Sequence, residues 1–201
     1  MNYWKETHSL PTENFICGYC GRDISSNNGY YYNKSNNAYT SSVFIYICHH
    51  CGKPTYINKH RIPYEQIPGP LFGSSFHQEI FGEDQDVFIL YEEARKCFSQ
   101  SAYTSVGLCC RKLLMHIAVS CGAELDLRFV DYVNYLNDNN YIPVNAKGWV
   151  DIIRKKGNDA NHEIIILNKE DAKKLIMFTQ MIIDVIFRMK YEAEKYLEQE
   201  E

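Results

Sequence analysis

The chain has 201 residues, 45% apolar and 23% charged, enough for one well-buried core and a small appended module. Its formal net charge of −4 excludes a chain-wide field that would draw nucleic acid, so any polyanion contact has to come from local patches. Residues 1–61 carry six Lys/Arg against three Asp/Glu, and residues 62–201 fifteen against twenty-two, which makes the first third mildly basic and the rest acidic.

The opening "MNYWKETHSLPTENF" lacks the basic start and apolar run of a signal peptide. Residues 15–57 are turn-rich and aromatic, and their stretches "YYYN" and "SVFIYIC" are rich in β-formers. Two copies of one device sit in this region: Cys17-Gly-Tyr-Cys20-Gly and Cys48-His-His-Cys51-Gly. Both thiolates of a Cys-x-x-Cys turn can hold the same Zn²⁺, and the following glycine lets the backbone turn tightly around the metal. Two matched knuckles predict a four-cysteine tetrahedral site at Cys17, Cys20, Cys48 and Cys51, rather than redox pairs or disulfides. A complete set leaves His49 and His50 no vacancy. It also has no open position for water, so one structural Zn²⁺ per chain is expected. Residues 1–60 therefore read as a zinc ribbon. Its tyrosines and lysine (Tyr30, Tyr31, Tyr32, Lys34, Tyr39) suit either base stacking or the filling of a module with little core.

Residues 61–85 hold three of the six prolines and read as an extended Pro/Gly linker. From residue 86 to 201 the pattern is helical. Val87, Leu90, Tyr91, Ala94, Cys97 and Phe98 mark one face of a first helix, and Val106, Leu108, Cys109, Leu113, Ile117 and Cys121 one face of a second, ended by Gly122. A third helix spans about 127–139, and a fourth about 146–156. Asn168 with Asp171 predicts the capped start of a long last helix that reaches about residue 198. Its greasiest part, 175–189, contains Thr179, Gln180 and Asp184 and is too short and polar to span a bilayer. The expected architecture is mainly α: a helical bundle of about five helices with a small N-terminal β zinc-ribbon module. No membrane partner and a cytoplasmic location are expected. Cys97, Cys109, Cys110 and Cys121 read as small apolar residues, and His116 as a partly buried histidine with a satisfied partner.

Chemistry concentrates in "RKKGNDANHE" (154–163), between two apolar segments. Gly157 and Asn158 suit a helix end or kink, with His162 bonded to backbone or to a neighbouring carboxylate. The same residues also suit a site. Together with "LYEEARKCFSQSAYTSVGLCCRKLLMHIA" (90–118), this stretch resembles the HEPN superfamily, and more closely a HEPN-like domain of unknown function found alone, beside zinc ribbons or fused to restriction-enzyme subunits. The resemblance covers roughly residues 63–190 and is sharpest at "YEEA", at the arginine of "CRKLL" and at "GN-x-A-x-H".

The resemblance implies a metal-independent endoribonuclease working as a homodimer through the helical bundle, in a microbial defence or toxin system. His162 matches the family histidine, able to move a proton near neutral pH. Asn158 matches the polar residue four before it. The family arginine, which holds the phosphate, does not match: Gly157 stands in its usual position, and Arg154 lies three residues earlier. On a continuous helix Arg154, Asn158 and His162 share one face, and Lys155 or Lys156 could also hold a phosphate. Arg111 is implied as a buried ion-pair residue that orients the motif, with Glu92 or Glu93 as its acid. The alternative is a non-catalytic dimeric binding or adaptor module whose ribbon contacts nucleic acid or a partner protein.

Overall fold

The computed structural model describes residues 4–32, 41–146, 148–149 and 166–198. The chain divides into two units, Met1–Phe72 with Phe98–Ser101, and Gly73–Cys97 with Ala102–Glu201.

The first unit is a five-stranded antiparallel sheet whose spatial order is its chain order: β1 (His8–Ile16), β2 (Asp23–Tyr32), β3 (Val43–Ile47), β4 (Pro54–Asn58) and β5 (Glu65–Ile67). In such a meander the first and third connections fall at the same end of the sheet. Paired residues of neighbouring strands point to the same side. Tyr31 faces Phe44, and Phe44 faces Ile57. Phe44 and Ile57 are buried with Leu10, Phe15, Ile24 and Tyr46 in one cluster, so this side of the sheet is the core. The register of β1 against β2 shifts between Ser9 and Glu13, where Pro11 has no N–H to give the ladder. The freed Pro11 carbonyl accepts the buried Tyr46 hydroxyl at 2.9 Å. Gly29 is required by close approach: a Cβ there would lie 1.9 Å from the Ile45 carbonyl oxygen. The segment Phe98–Ser101 joins this unit through Gly69 N–H, which donates to Ser99 O at 2.7 Å, and through Phe98 against Phe72 at 5.1 Å between ring centroids.

The second unit contains α1 (Gln85–Ser99) as far as Cys97, α2 (Tyr103–Ser120), α3 (Phe129–Asp138) and α4 (Lys169–Ile183). α4 runs on through a π-helical stretch, Asp184–Arg188, into a last α-helical stretch, Met189–Leu197, as one continuous helix. α2 buries Val106, Cys110, Leu113, Leu114, Ile117 and Ala118 and packs against both α3 and α4, as a helix apolar on more than one face must. Gly107 admits Leu167, whose Cδ1 would sit 2.4 Å from a Cβ. Gly122, at φ +102°, follows the end of α2. Asn168 caps α4, its side-chain oxygen accepting from Asp171 N–H at 2.9 Å. The final stretch buries nothing, and no described helix is long and apolar enough to cross a membrane.

The expected fold class needs correction. Among the described residues there are four helices rather than a bundle of about five, and the expected N-terminal β module is a five-stranded antiparallel sheet. The expected fourth helix opens as a 3-10 turn, Val144–Ala146, after Pro143; beyond it only 148–149 are described, as helical. Within the expected linker, Glu65–Ile67 forms β5 on the sheet edge and Gln78–Phe81 a 3-10 turn. Backbone pairing with β4 orders the first, and burial of Ile80 and Phe81 the second.

Candidate metal centre and polar sites of the helical unit

Each knuckle is the turn of a hairpin, joining β1 to β2 and β3 to β4. The two turns are built alike. Cys17 N–H donates to Arg22 O (2.9 Å) and Gly21 N–H to Cys17 O (2.9 Å); Cys48 N–H donates to Lys53 O (3.0 Å) and Gly52 N–H to Cys48 O (2.8 Å). Gly21 and Gly52 have φ of +70° and +69°, a left-handed conformation that favours glycine.

This construction brings four sulfurs together from both turns. Cys17 Sγ lies 3.8 Å from Cys51 Sγ, and Cys20 Sγ lies 3.8 Å from Cys48 Sγ. All four lie within 4.8 Å of one another, close enough to bind one metal ion. A disulfide would need about 2.05 Å, and all four cysteines are free. Burial pushes the thiols of Cys20 and Cys51 up, that of Cys51 to about 12. At Cys48 burial acts the same way but is outweighed by the N–H groups of Cys51 and His50, which leave its pKa below the ordinary value. Pairing across the two turns therefore brings together all four predicted ligands.

The tyrosine run of the ribbon divides. Tyr31 points to the core with Phe44, while Tyr30 pairs with Ile45 and Tyr32 with Val43 on the other side of the sheet. Lys34 and Tyr39 lie outside the described residues.

In the helical unit, Glu92 belongs to a buried ion pair with Arg95. Glu92 Oε1 accepts from Arg95 Nη1 at 2.6 Å, and Arg95, only 3% exposed, also donates through Nη2 to Gly73 O at 3.0 Å. Arg111 holds its half-buried guanidinium over the Phe129 ring, 4.7 Å from the centroid. Tyr91, fully buried beside this pair, donates to Ser74 O at 3.1 Å, and burial holds its pKa well above the tyrosine range.

A second polar group joins the start of α1 to α2. Asp84 Oδ1 lies 2.7 Å from His116 Nε2, and Oδ2 accepts from Ser120 Oγ at 2.9 Å. His116 thus has the satisfied partner expected of it. Burial pushes Cys109 to about 11 and Cys110 to about 12, so both stay protonated at neutral pH and act as small apolar residues. Arg154, Lys155, Lys156, Gly157, Asn158 and His162 all lie outside the described residues.

Residues 92–199 match a protein family described as a domain of unknown function (DUF4145). The chain belongs to this family. The DUF4145 segment opens at Glu92, within the buried pair, and takes in α2, α3 and α4 together with the "RKKGNDANHE" stretch. The sheet, the four cysteines and Asp84 precede it. No curated protein and no solved structure matches the chain.

Proposed function

We propose that this DUF4145 protein is a HEPN-like, zinc-ribbon protein that acts on or senses nucleic acid. The observation that carries the reading is the pair of matched knuckles. Thiolates about 2.3 Å from Zn²⁺ in a regular tetrahedron stand about 3.8 Å apart. That is the separation of both cross-turn sulfur pairs. Four thiolates this close repel one another unless a cation sits between them, and a soft all-sulfur set favours zinc over harder ions. One Zn²⁺ held by Cys17, Cys20, Cys48 and Cys51 has no open position for water. It would fix the two hairpins and supply no chemistry. The ribbon is then a surface for contact, and the cation surplus of residues 1–61 suits a polyanion.

In the enzymatic form of this proposal, a homodimer formed through the helical unit cleaves RNA without a metal, in a microbial defence or toxin setting. His162 moves the proton, Arg154 and Asn158 complete its face, and Lys155 or Lys156 holds the phosphate. Gly157 in place of the motif arginine favours a second form, a dimeric binding module without catalysis that contacts nucleic acid or a partner protein. Incubating the purified protein with RNA in EDTA, beside His162→Ala, separates them. Cleavage by the natural protein and loss of it in His162→Ala is the expected result. Equal cleavage by both, or none by either, removes the enzymatic form.

A further inference from the structure

The side of the sheet opposite the core carries a continuous apolar row. Tyr30 pairs with Ile45, Ile45 with Tyr56, and Tyr56 with Ile67, so these four side chains cross β2, β3, β4 and β5 on one face. None of them is charged. Ile45 is 38% exposed and Ile67 49%. Tyr32, next to Tyr30 on the same face, is 70% exposed. Trp4 extends the row beyond β2, with its ring 6.2 Å from that of Tyr30. Its indole N–H donates to Gly52 O of the second knuckle at 2.7 Å, which fixes the ring in place.

Small modules fill their cores with aromatics, but this row is not core. The core face is the one with Tyr31, Phe44 and Ile57. Nor is the row part of the metal centre, which sits with the core cluster. Adjacent strands stand about 4.8 Å apart, so the Tyr30 and Tyr56 rings are anchored about 10 Å from each other. A sheet face with aromatics at such intervals stacks two or three splayed bases in known single-strand readers.

The charges of the sheet unit are few and nearly balanced. Glu13 is taken up by Lys59, and Glu65 by Arg61 at 3.4 Å. Among the described residues of the sheet unit, Lys5, Arg22 and Lys53 have no such acidic partner, against Glu6 and Asp23. Arg22 and Lys53 occupy equivalent positions in the two knuckles, each exposed and each accepting a cysteine N–H at its carbonyl. So few cations supply a weak electrostatic pull. Stacking has to carry most of the affinity, and stacking needs bases that are not already paired.

We infer that the outer face of the sheet, centred on Tyr30, Tyr32 and Tyr56 with Trp4 at its margin, binds single-stranded nucleic acid by base stacking. This rests on the nucleic-acid reading above and names the substrate class of the ribbon. The test is fluorescence anisotropy of the full, zinc-loaded chain with a labelled ten-nucleotide oligouridine and with a duplex of equal length. The single strand is expected to bind and the duplex to bind at least tenfold more weakly. Tyr32→Ala and Tyr56→Ala are each expected to weaken single-strand binding about tenfold. Tyr56→Phe should keep it, and one zinc per chain should be retained throughout. If the single strand binds and both alanine variants bind it equally well, the surface is wrong while the nucleic-acid reading stands. If the duplex binds as tightly as the single strand, stacking is wrong. If neither binds, both readings fall and the face is a protein contact.

Discussion

Gly21 and Gly52 occupy the same place in two separate turns. Their φ angles differ by one degree, +70° against +69°, and each amide donates to the carbonyl of the cysteine four residues before it, Cys17 and Cys48. An L side chain in this left-handed conformation costs about 1–2 kcal/mol. At Gly52 nothing lies within 4 Å of a built Cβ, so Gly52→Ala isolates the backbone cost. The expected loss is about 1 kcal/mol in urea denaturation of the zinc-loaded protein. Gly52→Asn should recover part of it, because asparagine tolerates this conformation. Equal stability of Gly52→Ala and the natural protein would show that the turn relaxes.

Metal binding at the four cysteines should depend steeply on pH. A thiol gives up its proton to become a ligand, so protons compete with the metal. Burial holds the Cys20 and Cys51 thiols above their ordinary values, that of Cys51 at about 12, so both are protonated at neutral pH before the metal arrives. Affinity therefore rises with pH, by on the order of 100-fold per unit if two protons leave. Competition against a chromophoric chelator at pH 6, 7 and 8 measures this slope. The expected stoichiometry is one Zn²⁺ per chain, lost in Cys51→Ser. A slope of less than tenfold per unit would mean that fewer than one proton is displaced.

The metal centre was legible because its signal is local: two cysteines at fixed spacing, a glycine after them, and the same device twice. Asn168 was legible for the same reason, as a cap three residues before its N–H donor. The strands were only half legible. Tyr30–Tyr32 and Val43–Ile47 announce themselves by composition, but β1 breaks its alternation at Pro11, and β5 is three residues long in a proline-rich stretch. Both are strands only because β2 and β4 pair with them. The ion pair of Glu92 with Arg95 was not anticipated, although Arg95 stands three residues from Glu92 on the same helix face. Asp84 with His116 could not be read at all, since 32 residues separate them and only the fold brings them together.

Arg95 and Glu92 make a largely buried ion pair within α1. With Arg95 at 3% exposure, removing its partner leaves a buried guanidinium short of one acceptor. Glu92→Ala is therefore expected to cost about 3 kcal/mol, read from chemical denaturation followed by helical circular dichroism. Replacing both residues, with Arg95→Met and Glu92→Leu, should cost much less than Glu92→Ala alone, because no charge is then stranded. A double variant as unstable as Glu92→Ala would show that shape, not charge, sets the cost.

Asp84 uses both carboxylate oxygens on α2, one for His116 and one for Ser120. The His116 side chain is 41% exposed and Asp84 23%, so solvent screens the pair and its worth is modest. Asp84→Ala is expected to destabilise the helical unit by about 1–2 kcal/mol, since two hydrogen bonds to a charged group are lost together. A double-mutant cycle with His116→Ala separates the two contacts. A coupling of about 0.5–1 kcal/mol at low salt is expected for Asp84 with His116, falling in 1 M salt. Asp84→Asn keeps an acceptor for Ser120 and should sit between the natural protein and Asp84→Ala. Full additivity of Asp84→Ala and His116→Ala at low salt would show that the two side chains do not act as a pair.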